Sequence, residues 1–137
     1  MVRSQRPSHI RNTEPTLDSQ VSYTLGVPLI YLKGELGHDS AEHLRSVIEQ
    51  EMAAYPEQLI LDFSELLFID SGGLSIMFSL VRRFSGPGCL GVVGAKEGVA
   101  RLLEATGLAD QPNFRIFANA ASAATALAQT DPPAAPG

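Results

Sequence analysis

The run Leu59-Ile-Leu-Asp-Phe63 constrains the fold more than any other stretch of the chain. It is short, nearly all apolar and bounded by polar residues, so it reads as a β-strand covered on both faces and therefore central in a sheet. Ser64-Glu65 and a second apolar stretch, Leu66-Leu-Phe-Ile69, follow it. Then come Asp70-Ser71-Gly72-Gly73 and a strongly apolar helical stretch from about Leu74 to Phe84. A buried strand leading through a glycine-rich turn into a helix is the basic unit of an α/β sheet protein.

The rest of the chain repeats this alternation. Val21–Leu25 and Pro28–Lys33 read as strands of a hairpin turned at Gly26-Val27-Pro28, and Gly34 to Asp39 breaks the pattern. Asp39 or Ser40 can cap a first helix whose apolar face is Leu44, Val47, Ile48 and Met52, closed by Pro56. Gly86-Pro87-Gly88 is a turn, and Leu90–Val93 is another central strand. Glu97–Thr106 is a short helix ended by Gly107. Phe114–Phe117 is a last strand, and Asn119 caps a final alanine-rich helix ending near Gln129. The expected fold is α/β: a mixed, mostly parallel sheet of about five strands with four helices. Residues 1–20 read as a flexible tail, 21–130 as the domain and 131–137 as a disordered end.

Composition narrows the function. Of 137 residues, 45% are apolar and 18% charged, which suits one globular domain; the net charge of -5 offers no attraction to nucleic acid or an anionic membrane. Cys89 is the only cysteine, so neither an internal disulfide nor a cysteine-rich zinc site is possible. No apolar run approaches the roughly 20 residues that span a bilayer, and no secretory signal follows the N-terminal arginines, so the expected location is the cytoplasm. Gly91-x-x-Gly94-x-x-x-Gly98 is not a dinucleotide fingerprint, and no Walker loop is present. His38 and His43 are spaced off a single helical face and read as solvated. No nucleophile, base and oxyanion set is visible. The expectation is a non-enzyme with no cofactor and no metal.

The segment Leu59-Ile-Leu-Asp-Phe-Ser-Glu-Leu-Leu-Phe-Ile-Asp-Ser-Gly-Gly-Leu74 resembles the signature of STAS domains, as do Gly91-Val-Val-Gly-Ala95, Val99–Leu108 and the strand Phe114–Phe117. A free-standing chain of this kind is most similar to the anti-sigma factor antagonists. That resemblance implies binding to a kinase-like anti-sigma factor, with release of a sigma factor and control by serine phosphorylation. The family's usual phosphoserine is the second residue after the aspartate, which here is Gly72; the first, Ser71, is a serine. Two other roles remain open: a cytoplasmic accessory subunit of a lipid-transport ABC system, where some relatives lack the second serine, and a nucleotide or small-molecule sensor using the same loop.

The stretch from Ser64 to Gly73 is expected to be a functional loop at the carboxyl end of a strand. Ser71 reads as a helix N-cap, as a phosphate acceptor, or as both. A phosphate there is expected to rest on free amides of the helix start, with Asp70 repelling it. Gly72 and Gly73 permit either a tight turn or the close approach of a partner. Asp62 and Asp70 can hold Mg²⁺, do acid-base work or serve structurally, and the resemblance makes both part of a recognition loop. On the following helix, Leu74, Met77, Phe78, Val81 and Phe84 form one apolar stripe, with Ile76 and Leu80 off it. Such a helix is either partner-binding or set on a wide core. The candidate partner surface is therefore Asp62, Ser64, Asp70, Ser71, Gly72, Gly73, Ser75, Ile76 and Ser79, with Ser71 the candidate for phosphorylation.

Overall fold

A computed structural model describes residues 17–52, 58–84 and 89–128, without the side chains of residues 51 and 52. The elements are β1 (Leu17–Thr24), β2 (Val27–Leu36), α1 (His38–Met52), β3 (Gln58–Ile69), α2 (Ser71–Arg83), β4 (Cys89–Val93), α3 (Glu97–Ala105), a 3-10 turn (Leu108–Asp110), β5 (Phe114–Phe117) and α4 (Ala120–Ala128). The strands form one sheet in the order β1-β2-β3-β4-β5. Only the β1–β2 pair is antiparallel. The expected mixed sheet with four helices is thus what forms. Pro56, the Gly86-Pro87-Gly88 turn, and residues 1–16 and 131–137 of the two expected tails lie outside the described residues.

Side-chain alternation sorts the core. Ile30 and Leu32 of β2, Leu59, Leu61 and Phe63 of β3, and Leu90 and Val92 of β4 point to one face, which α1, α2 and α3 cover with Leu44, Ile48, Ile76, Met77, Leu80, Val99 and Leu103. Leu29, Ile60 and Val93 point the other way, where α4 alone seals them with Ala123, Ala124 and Leu127. The apolar run Leu59–Phe63 is central because both of its faces are covered. Cys89 opens β4 as a buried core residue whose thiol pKa burial pushes up, as expected of an inert cysteine.

Three local expectations change. The hairpin turns at Leu25-Gly26, both with positive φ, in a two-residue loop between paired Thr24 and Val27; Val27 and Pro28 already belong to β2. β1 begins at Leu17, fully buried, four residues earlier than the apolar pattern indicated, and β2 runs on to Leu36. Helix α1 starts at His38, so neither Asp39 nor Ser40 is its cap. Buried Ser40 instead donates from Oγ to the carbonyl of Glu35 and accepts from the amide of Gly37, one half of a capping box.

The stretch expected to be a loop is mostly strand. β3 continues without a break to Ile69, but it pairs with β4 only through Asp62. Two register shifts against β2, between Tyr31 and Lys33 and between Gly34 and Glu35, each insert an extra residue in β3. The bulges replace strict alternation with burial at every third residue: Phe63, Leu66 and Ile69 point inward, while Leu67 and Phe68 are 66% and 51% exposed. Placing two large apolar side chains in water is the cost of this irregular end.

Candidate functional site

β2 and β3 end side by side, and each leads at once into a helix. Asp70 joins the two starts. It is the N-cap of α2: its Oδ1 accepts from the amides of Gly72 at 2.8 Å and Gly73 at 3.1 Å. Its Oδ2 accepts from the amide of His38, the first residue of α1, at 3.4 Å, and its own amide donates to the carbonyl of Leu36 at 3.1 Å. The glycines around it make this approach possible. A Cβ on Gly37 would lie 2.6 Å from Asp70 Oδ2, and one on Gly72 would lie 2.8 Å from the His38 amide nitrogen. A Cβ on Gly73 would lie 2.3 Å from the Leu36 carbonyl oxygen.

The amide of Gly73, followed by those of His38 and Gly72 and by the His38 charge, lowers the Asp70 pKa against a smaller opposing effect of burial. A carboxylate whose folded pKa is depressed stabilises the fold fully above its unfolded value of about 3.9, and that contribution is lost as pH falls through the folded value. Thermal melts from pH 6 down to about pH 2.5 are therefore expected to show wild type losing more of its melting temperature in acid than Asp70→Asn, which caps without titrating. Parallel acid profiles for the two proteins would contradict the cap.

Ser71 is the first residue of α2, not its cap. It is exposed, and its hydroxyl makes no hydrogen bond to a described residue. Aspartate and serine are both good caps, and only the point at which β3 ends decides between them. The Gly72 and Gly73 amides that a phosphate on Ser71 was expected to use are already bound by Asp70, so such a phosphate faces a carboxylate and occupied donors. Gly72 is half-buried under the start of α1, and Gly73 is buried. Both serve the internal approach of the two helices; neither is an open landing place for a partner.

The remaining candidates separate. Ser75 is exposed and Ser79 half-buried on the outer side of α2, but Ile76, expected to meet a partner, is 3% exposed and faces the chain's own core with Leu80. The buried line is Gly73, Ile76, Met77, Leu80 and Val81, while Leu74 and Phe78 pack at its margin. The expected stripe was thus centred about one residue off. Helix α2 has a wide core face because α1 packs beside it while the sheet lies beneath. Asp62 stands just before the first bulge, mid-way along β3 and roughly 20 Å from Asp70 along the strand. Its Oδ1 accepts from the amide of Ser64 at 2.9 Å, which shapes the first bulge. Exposed Ser64 sits against Gly94 of the β4–α3 connection. Asp62 and Asp70 do not form a pair, and among the described residues no three of His, Cys, Asp and Glu could hold a metal ion.

The structure adds residues that the sequence reading did not single out. Phe68 lines a shallow depression with Glu35, Gly37, His38, Asp39 and Asp70, and Leu67 stands exposed beside it. Only the two bulges turn these side chains outward; the continuous apolar spelling of Leu66–Ile69 carries no such signal.

The STAS domain model matches residues 19–123, which takes in every element of this site. The chain belongs to the STAS domain family. Among solved structures, an anti-sigma factor antagonist from Mycobacterium paratuberculosis is 26% identical with a TM-score of 0.75, covering 84% of this chain and 97% of that one. The anti-sigma factor antagonist SpoIIAA in its unphosphorylated form is 21% identical with a TM-score of 0.64, covering 80% and 96%. The phosphorylated form of SpoIIAA from Bacillus is 20% identical with a TM-score of 0.62, covering 82% and 100%. This chain therefore has the SpoIIAA-like STAS fold. No helix among its described residues is long and apolar enough to cross a membrane.

Proposed function

We propose that this STAS domain is an anti-sigma factor antagonist: it binds a kinase-like anti-sigma factor through the joined starts of α1 and α2 and so frees a sigma factor. The observation that carries the reading is the exposed Ser71, with no hydrogen bond to a described residue, at a firmly capped helix start, flanked by exposed Leu67, Phe68 and Ser75. That arrangement suits docking of a protein. Its likeness to the mycobacterial antagonist over nearly the whole of that chain supports the choice of partner class.

Ser71 is the residue through which such a complex would be switched, since Gly72 has no hydroxyl and no room for one. A phosphate on Ser71 adds up to two negative charges at pH 7 beside Asp70, and a partner packed over it must desolvate both groups. With purified anti-sigma factor, Ser71→Asp is expected to raise Kd at least tenfold, on the order of 1.4 kcal/mol, and Ser71→Ala to leave it within about twofold. Equal binding by the two variants, measured by calorimetry, would remove Ser71 as the switch.

The glycine at 72 favours a second reading, an accessory subunit of a lipid-transport ABC system that is not phospho-regulated. Recovery of a transport ATPase in place of a kinase-like protein on tagged chain would decide for it.

A further inference from the structure

Strand β1 forms one edge of the sheet, and nothing in its sequence guards that edge. No strand lies on its outer side among the described residues. Its pairing with β2 runs from Leu17 to Thr24 without a bulge, and it contains no Lys, Arg or Pro. Bulges, lysines and prolines are the devices that keep exposed edges from pairing with another chain. The opposite edge strand, β5, has only four residues and carries Arg115. Of the six large apolar side chains exposed among the described residues, three, Val21, Tyr23 and Leu25, lie on β1 and its turn. Leu25 is also the one non-glycine residue among them all with a positive φ, 53°. Such a turn position suits asparagine or glycine. A leucine there, 67% exposed, is unfavourable in backbone and in solvation, and no contact within the single chain compensates for it.

The turn also fixes which way the backbone of β1 points. Thr24 and Val27 flank a two-residue loop and so exchange hydrogen bonds, and such pairs recur at every second residue of the ladder. Gln20 and Ser22 therefore bond to β2, while the amides and carbonyls of Ser19 and Val21 point out of the sheet.

We propose that β1 pairs with β1 of a second copy of this chain, antiparallel about a two-fold axis at Val21. A two-fold contact must match each residue to its partner in both directions, and this strand matches itself. Val21 meets Val21 at the axis, and their outward amides and carbonyls bond to one another. Ser19 meets Tyr23, so a Tyr23 ring flanks the valine pair on each side. On the other face Gln20 meets Ser22 and Asp18 meets Thr24, which are short polar pairs. Asp18 is the only charged residue of β1, and the two copies of it stand six residues apart, roughly 20 Å along the strand. No like charges are opposed. Leu25 of each turn comes level with Leu17 of the other copy. This self-match selects a second copy over an unrelated extended peptide. It uses no residue of the contact proposed for the anti-sigma factor, so either proposal can fail without the other.

Sedimentation of the full chain alone, from about 5 µM to about 500 µM, tests it. One strand edge is a small contact, so the dimer Kd is expected to be weaker than about 1 µM but within that range. Val21→Lys and Val21→Asp, each alone, oppose two like charges at the axis and are expected to raise Kd about fivefold or more. An equimolar mixture of the two variants is expected to associate within about threefold of wild type, a recovery that damage to folding would not allow. Ile116→Lys, on the opposite edge, is expected to change nothing. Amide exchange at Ser19 and Val21 is expected to slow at least twofold across the concentration range, with Gln20 and Ser22 unchanged. A chain that stays monomeric throughout overturns the proposal; slow exchange of Ser19 and Val21 in that monomer would assign the edge to another segment of the same chain. A dimer that tolerates both Val21 variants, one lost only with Ile116→Lys, or a mixture without recovery would overturn it equally.

Discussion

Gly73→Ala is expected to lower the stability of this domain by about 3 kcal/mol, the upper part of the range for overpacking a tight contact. The added methyl carbon would lie 2.3 Å from the Leu36 carbonyl oxygen and 2.9 Å from its carbon, with the Ile69 side chain 3.0 Å away on the other side. The first two are backbone atoms of β2 and cannot rotate aside. Helix α2 must therefore lift from the end of the sheet, and Asp70, which bonds to both helix starts, loses its geometry with it. The same substitution at Gly98, in the first turn of α3, meets nothing within 4 Å. There it is expected to stabilise by about 0.5–1 kcal/mol, because alanine loses less backbone freedom in a helix than glycine. Urea unfolding of the two variants checks the contrast. Effects of the same sign would mean that the close approach of α2 to β2 is not what the structure depicts.

Ile76→Ala is expected to cost about 2–5 kcal/mol, as for deletion of a large aliphatic side chain inside a packed core. Ser75→Ala, one residue earlier on the outer side of the same helix, is expected to stay within about 0.5 kcal/mol of wild type. The pair tests which way α2 faces. Were Ile76 a partner contact, its replacement would leave chemical denaturation unchanged and weaken only the complex. Against a typical domain stability of about 5–15 kcal/mol, the loss at Ile76 would be plain in a single melt.

The features that were legible in the chain are those written in simple periodicity. The two-sided burial of Leu59–Phe63 follows from its unbroken apolar spelling, and Asn119 caps α4 as its side chain indicates, accepting from the Ser122 amide. The element order and mixed sheet, read from periodicity and turn residues, agree with the fold implied by the resemblance, which rests on the motif residues Leu59–Leu74. What was not legible depends on contacts between segments distant in the chain. The bulges that continue β3 to Ile69 and expose Leu67 and Phe68 arise from pairing with β2, which no local pattern encodes. Asp70 takes the cap from Ser71 because the strand ends at Ile69 and the Leu36 carbonyl accepts its amide. The glycines at 72 and 73 look permissive in isolation, but His38 and Leu36 make them obligatory. Helix α2 was read one residue off because a helix wedged between a sheet and a neighbouring helix buries a broader arc than a one-sided stripe.

Hydrogen exchange on the complex with the anti-sigma factor tests the central claim most directly, because it maps the contact without altering any residue. Slowed exchange is expected in residues 33–40 and 64–76, where the ends of β2 and β3 lead into α1 and α2, with α4 unchanged. Protection confined to α4 or to the outer edge of β1, with the joined helix starts exchanging as in the free chain, would contradict it.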